Sequence, residues 1–334
     1  MNGPRFGLRL PPIAVDAPPD TIGTIAVACE KAGLASFWLP DRLVGVDGYL
    51  RFLGESQVLD PLVGLAYCAA VTSRIQLGTA VLVAPFRHPL ALTKAVASLQ
   101  AVTGDRLVLG VGTGWNRDEF AAIGLDARQR GSRTDETLDV LRGARGHRVF
   151  AHRGRHFRFD EVLMGPPVRN SLELWIAGGP NAGTYHQLGP PEFARPVLDR
   201  ISRAEGWLSR PTTSVTQIRA GRVAITERRK ELGTDGGPFT VAHVNWCHLV
   251  DGTREQALSQ QEAAFAEALG KGTPFEVARQ LHWTGSLADV RDRVAQLVDA
   301  GVEHIVASPV APGPEQVELW ATGVLEPWGF RPEN

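Results

Sequence analysis

Short apolar runs rich in β-branched and aromatic residues alternate along this chain with longer stretches whose apolar positions recur every three or four residues. The first kind predicts strands and the second predicts helices. Phe6–Leu10, Ser36–Pro40, Ile75–Val83 and Arg106–Val111 are the first four predicted strands. Between them lie predicted helices over Thr21–Gly33, with Asp20 as N-cap and Gly33 as stop, over Asp60–Val71 with Pro61 at its first position, and over Pro89–Ala101. A further helix is predicted over Arg133–Gly143, then a polar stretch, Arg145–Asp160, with weak alternation that suggests a hairpin. Strands at Glu173–Ala177, Ala204–Leu208, Phe239–Val250 and His304–Ala307 complete the series, with helices at Val215–Leu232, Arg254–Leu269 and Ser286–Ala300.

About eight strands alternating with helices imply parallel pairing, because parallel neighbours need crossover connections. The pattern points to an α/β (β/α)8 TIM barrel spanning residues 1–334 as one domain, with an insertion near 145–170. The rival is an open doubly wound sheet, but its G-x-G-x-x-G turn is absent after the first strand. A barrel carries its site at the C-terminal ends of its strands. Those ends hold Asp41-Arg42, Ala84 to Pro89, Gly110-Val111-Gly112-Thr113-Gly114-Trp115, Gly178-Gly179-Pro180 and Gly206-Trp207. Glycines there admit a ligand close to the backbone, whose N–H groups can hold an anion.

Composition narrows the function. Net charge is -1, with 35 basic against 36 acidic residues. That balance excludes nucleic acid as the main partner. No apolar run reaches the length of a membrane helix, and residues 1–20 lack a signal-peptide core, so a cytoplasmic location is expected. Cys29, Cys68 and Cys247 are too few and too dispersed for a disulfide framework or a cysteine zinc site. His243 and His248 point to opposite faces of a predicted strand, and His152 and His156 sit among arginines, so no metal is expected. G-x-S-x-G does not occur. Few acid–base groups at a glycine-lined mouth fit a protein whose cofactor performs the chemistry.

Several stretches then match a known family in order. They are Glu30 to Arg42, Ile75 to Pro89, Gly104 to Phe120 with Arg130 to Glu136, Trp175 to Pro180, Ala204 to Leu208 and Gly285 to Ile305. Together they resemble the luciferase-like monooxygenases, the bacterial luciferase superfamily, and within it the oxidoreductases that use coenzyme F420. The resemblance implies a flavin-type ring at the C-terminal mouth and, often, a homodimer. It implies a non-proline cis peptide at Ala80–Val81 supporting the ring. The implied cofactor-binding residues are Thr79, Ala80, Val81, Gly112, Thr113, Gly114, Ala177, Gly178, Gly179 and Pro180, with the phosphate near the glycine pairs. Asp41 and Arg42 are the implied catalytic positions, with one departure: many relatives carry Asp-His there. Arg42 cannot serve as a general base, but it can stabilise an anion. The expected reaction is hydride transfer between F420 and a small organic substrate. The alternatives are an FMN-dependent monooxygenase, served by reduced FMN from a separate flavin reductase, and a cofactor-free barrel acting as a binding protein.

Overall fold

Eight parallel strands close into a barrel: β1 (Arg5–Arg9), β2 (Ser36–Leu39), β3 (Gln76–Thr79), β4 (Leu107–Gly112), β5 (Glu173–Gly178), β6 (Gly206–Ser209), β7 (Thr240–Cys247) and β8 (His304–Pro309). Each pairs with its sequence neighbour, and β8 closes on β1 through Arg5↔His304 to Leu8↔Ala307. The computed structural model describes residues 3–14, 16–43, 56–180, 193–269, 274–311 and 313–330. The (β/α)8 architecture expected from the alternation is thus present.

The crossovers are α1 (Thr21–Lys31), α2 (Pro61–Val71), α3 (Pro89–Thr103), α4 (Arg117–Ala122), α5 (Arg130–Ala144), α6 (Arg195–Ser202), α7 (Val215–Leu232), α8 (Arg254–Leu269), α9 (Phe275–Leu281) and α10 (Leu287–Asp299). Local chemistry sets their ends. Asp60 caps α2 by accepting from Leu62 and Val63 N–H, and Ser214 and Ser286 form capping boxes with Gln217 and Asp289. Gly104 and Gly233 end α3 and α7 in left-handed geometry. Between α5 and β5, Val149–Arg153 and Arg158–Leu163 pair antiparallel, which is the hairpin anticipated there.

Strand 3 differs from its prediction. Ile75–Val83 read as one run, but the ladder breaks after Thr79 and resumes at Leu82–Val83, with a cis peptide between Ala80 and Val81. The short helices α4 and α9 and the helical segment after Pro314 were also not anticipated, being too short to carry a period.

The core has two parts. Most buried apolar side chains fill the layer between strands and helices. A second cluster lies inside the barrel: Trp38, Ala80, Val108, Trp175, Leu208, Ala242, Val244 and Val306. Trp38 and Trp175 lie 5.2 Å apart, and His304 packs edge-on to both. Gly78 and Gly206 leave room for them, since a side chain at either would meet an indole ring within 2.6 Å. Ser36 Oγ joins Trp38 Nε1 to His304 Nε2, at 2.6 Å each, and burial pushes the His304 imidazole down to about 3, so it stays neutral. Below the mouth the barrel is therefore solid.

At the opposite end, Glu30 of α1 closes the turn before β3. Its carboxylate accepts from Arg74 N (2.6 Å), Ile75 N (2.8 Å) and Ser73 N (3.0 Å). Burial works against ionisation, but these N–H groups outweigh it and hold Glu30 below the usual carboxylate range. A depressed folded-state pKa gives stability that is full above the unfolded value and lost as pH falls through the folded one. Glu30→Gln is expected to lower the unfolding free energy by about 1–2 kcal/mol at neutral pH. The gap from wild type should close in urea melts repeated near about pH 3.

Candidate active site at the barrel mouth

The break in β3 builds the floor of the mouth. Ala80 N–H still donates to Leu39 O (2.8 Å), but its carbonyl turns out of the ladder. Arg9, the last residue of β1, supplies the missing donor: its Nε–H reaches Ala80 O at 2.8 Å, and its Nη1 donates to Ser308 Oγ on β8 at 2.9 Å. Strand 4 must come close. A side chain at Gly110 would stand 2.0 Å from Thr79 O, and one at Gly112 would stand 2.6 Å from Val81 Cγ2. Thr79 Oγ1 donates to Gly110 O at 2.7 Å. Val81 and Ala177 cap the inner apolar cluster from above, so Ala80, Val81 and Ala177 present an apolar surface at the mouth. Thr113 is half-buried beside them, and Gly114, at φ +73°, turns the chain toward α4.

Asp41 lies beside this floor, against Val83. It is buried, and Arg87 grips it with Nη1 to Oδ2 at 2.5 Å and Nη2 to Oδ1 at 3.1 Å. Val83 N–H donates to Oδ2 at 2.8 Å, so Asp41 pins the chain as it leaves the break. Arg87 also bonds Asp60 at 2.6 Å. Burial raises the Asp60 carboxyl, yet Arg87 and the α2 amides bring it below its ordinary range. Arg42 turns the other way. Its guanidinium lies 4.9 Å from the Trp115 ring centroid and 3.5 Å from Glu119 Oε2. Glu119 is buried and also accepts from Leu43 N–H at 2.9 Å. Trp115 is 58% exposed, a rim residue after β4.

The second half of the mouth surrounds the Gly178-Gly179 pair. Gly178 packs on Val197 of α6, and its carbonyl accepts from Trp207 Nε1 at 2.8 Å. Arg210, just after β6, donates from Nη2 to Pro180 O at 2.8 Å. Its Nε and the Thr213 hydroxyl are buried without hydrogen-bond partners among the described residues. Both face Gly179: a side-chain carbon there would stand 3.2 Å from Thr213 Oγ1 and 3.4 Å from Arg210 Nε. Two orphaned donors over a glycine backbone form a cradle for an anion. Burial pushes the Arg210 guanidinium below its ordinary pKa, yet that starting value is so high that it remains a cation.

The structure thus gathers Thr79, Ala80, Val81, Gly112, Thr113 and Gly114 on one side and Ala177, Gly178, Gly179 and Pro180 on the other. It turns Asp41 and Arg42 apart, one buried on Val83 and Arg87 and one toward Trp115 and Glu119 at the rim. Arg9, Arg210 and Thr213 escaped the sequence reading. Arg9 shares the inward parity of Gly7 on β1, the one signal that marked it. Among the aromatic side chains on or just after these strands, Trp38 is inner core, Phe86 packs on Phe120 (5.1 Å), Trp246 stacks on His282 (5.4 Å) and Trp115 stands exposed. His88 caps α3, its Nδ1 accepting from Leu90 N–H at 3.3 Å. The chain from Asn181 to Arg203, which the sequence leads one to expect at the mouth, lies outside the described residues over 181–192.

The profile of the luciferase-like monooxygenase family matches residues 7–317. An uncharacterised protein of Mycobacterium tuberculosis is 27% identical over 195 residues, 55% of this chain and 63% of that protein. The matched stretch thus spans less than two thirds of that relative. The F420-dependent glucose-6-phosphate dehydrogenase of Kineococcus radiotolerans is 29% identical over 311 residues, 89% of each chain. Among solved structures, a monooxygenase of Streptomyces bottropensis superposes with a TM-score of 0.76 at 20% identity over 97% of this chain and 99% of its own. The coenzyme F420-dependent tetrahydromethanopterin reductase of Methanopyrus kandleri gives 0.73 at 19% identity over 99% and 100%. At these identities the two structures show the fold.

The Asp41–Arg87 pair is testable through stability. Asp41→Ala leaves Arg87 with Asp60 alone and the Val83 N–H without its acceptor, and is expected to cost about 2–3 kcal/mol. A double-mutant cycle with Arg87→Ala in urea should return a coupling of about 1–3 kcal/mol. Additive losses would show that the pair does not hold this segment.

Proposed function

Because the chain belongs to the luciferase-like monooxygenase family, we propose that it is an oxidoreductase that transfers hydride between coenzyme F420 and a small organic substrate at the barrel mouth. The observation that carries the reading is the buried, unpartnered Arg210 Nε and Thr213 Oγ1 facing Gly179 beside an apolar floor. A group with a planar ring and an anionic arm fits both halves. F420, when bound, supplies the hydride chemistry at its ring. The choice of F420 rests on the Kineococcus relative, which aligns over 89% of both chains.

The chain's own residues have separable tasks in this reading. Ala80, Val81 and Ala177 support the ring and exclude water from its lower face. Arg9 keeps that surface in place by satisfying Ala80 O. Arg210, Thr213 and the Gly178-Gly179 backbone hold the phosphate, where charge-assisted bonds are strong. Asp41 acts through Arg87 and Val83 as a positioning residue. Arg42, held between Glu119 and Trp115, offers a fixed positive charge near the rim, not a proton acceptor.

We also propose that the chain pairs with a second copy through α2. That helix, PLVGLAYCAAV, carries no charged residue, and Val63 (70%), Tyr67 (40%) and Val71 (41%) repeat along its exposed face. Such a face in contact with water favours burial against a like surface.

Fluorescence titration of the apo-protein tests the cofactor. Tight F420 binding with weak FMN binding is expected, and Arg210→Gln with Thr213→Val should weaken F420 binding at least about tenfold. Preference for FMN would move the protein to the reduced-flavin monooxygenase reading, and binding of neither would leave a cofactor-free binding barrel. Light scattering tests the pairing: wild type should be a dimer and Val63→Glu/Tyr67→Glu a monomer. A monomeric wild type overturns it.

A further inference from the structure

A second cavity, of about 110 Å³, lies in the helical layer between α8, α9 and α10. Its position is fixed by Trp283, whose N–H donates to Trp246 O at 3.0 Å and which bridges to Cys247 at the end of β7. The cavity is therefore beside the mouth end of the barrel. Arg254, Arg279 and Arg293 line it, with Thr284, Gly285 and Glu276.

The cations are incompletely neutralised. Arg279 pairs with Glu276 at 3.1 Å, and Arg254 stands 3.6 Å from Asp289. Asp289 is shared, because it also accepts from Ser286 N–H and Oγ–H at 2.8 Å as part of the α10 cap. Arg293 meets neutral oxygens, donating to His282 O at 2.6 Å and Arg279 O at 3.2 Å. Burial pushes its guanidinium pKa down, Asp289 counters this, and the charges of Arg254 and Arg279 push it further down. An anion in the cavity relieves that repulsion. The volume suits a group of a few heavy atoms, given about 30 Å³ per water in the liquid. Planar guanidinium donors match the oxygens of phosphate or carboxylate.

We propose that the Arg254–Arg279–Arg293 cavity is an oxyanion site for a phosphate or carboxylate group, separate from the Arg210–Thr213 cradle. It does not depend on the redox reading. The test uses the full chain carrying Arg210→Gln, which silences the mouth cradle. Thermal unfolding is followed while inorganic phosphate replaces chloride at constant ionic strength. A saturable rise in Tm is expected, and adding Arg254→Ala at an exposed position and Arg279→Ala at a half-buried one should weaken the response at least about tenfold. No saturable rise, or a rise that survives those substitutions, overturns the proposal. Two results identify the source of the anion. Competition between phosphate and F420 that needs Arg254 and Arg279 assigns the site to the acidic part of a larger ligand. Phosphate binding without competition assigns it to a free anion.

Discussion

One carbonyl oxygen governs this mouth. When β3 breaks, Ala80 O leaves the parallel ladder and needs a donor from elsewhere. A buried carbonyl must find a donor. Arg9 provides it from the neighbouring strand, and Ser308 steadies Arg9 from the far side of the closure. The same break draws β4 in until only glycine fits at 110 and 112. Asp41, from β2, then recaptures the chain at Val83. Residues on five strands thus answer to a departure of two residues in one of them.

The barrel itself was legible because alternation and crossover length leave few topologies. The break was not legible from pattern. Ile75 to Val83 is apolar enough to read as one buried strand, and only the likeness to a family marked Ala80–Val81. Arg9 was hidden by its setting, since a lone arginine ending an apolar run reads as a strand end meeting water. The Asp41–Arg87 pair joins positions 46 residues apart, a distance that no local pattern bridges. Arg210 and Thr213 lie just past a strand whose reading stopped at Leu208. Glycines, by contrast, were found readily, though the reason differs between them. Gly110 and Gly112 serve the floor, whereas Gly179 leaves space below two idle donors.

The near-zero net charge conceals a sorted interior. On the outer surface and between helices, arginines meet carboxylates, as in Arg145–Glu205, Arg200–Asp135 and Arg228–Asp199. At the mouth, Arg210 donates instead to the carbonyl oxygen of Pro180. Neutral acceptors fix a guanidinium in place without cancelling its field. A protein of balanced composition can in this way keep an electropositive site.

Among the described residues, Trp38, Trp175 and His304 plug the barrel beneath Ala80 and Val81. A molecule resting on that floor would have no way out past these rings. Were a second molecule stacked above it, the deeper one would enter first and depart last. The order of arrival would then be set by two tryptophans below them both.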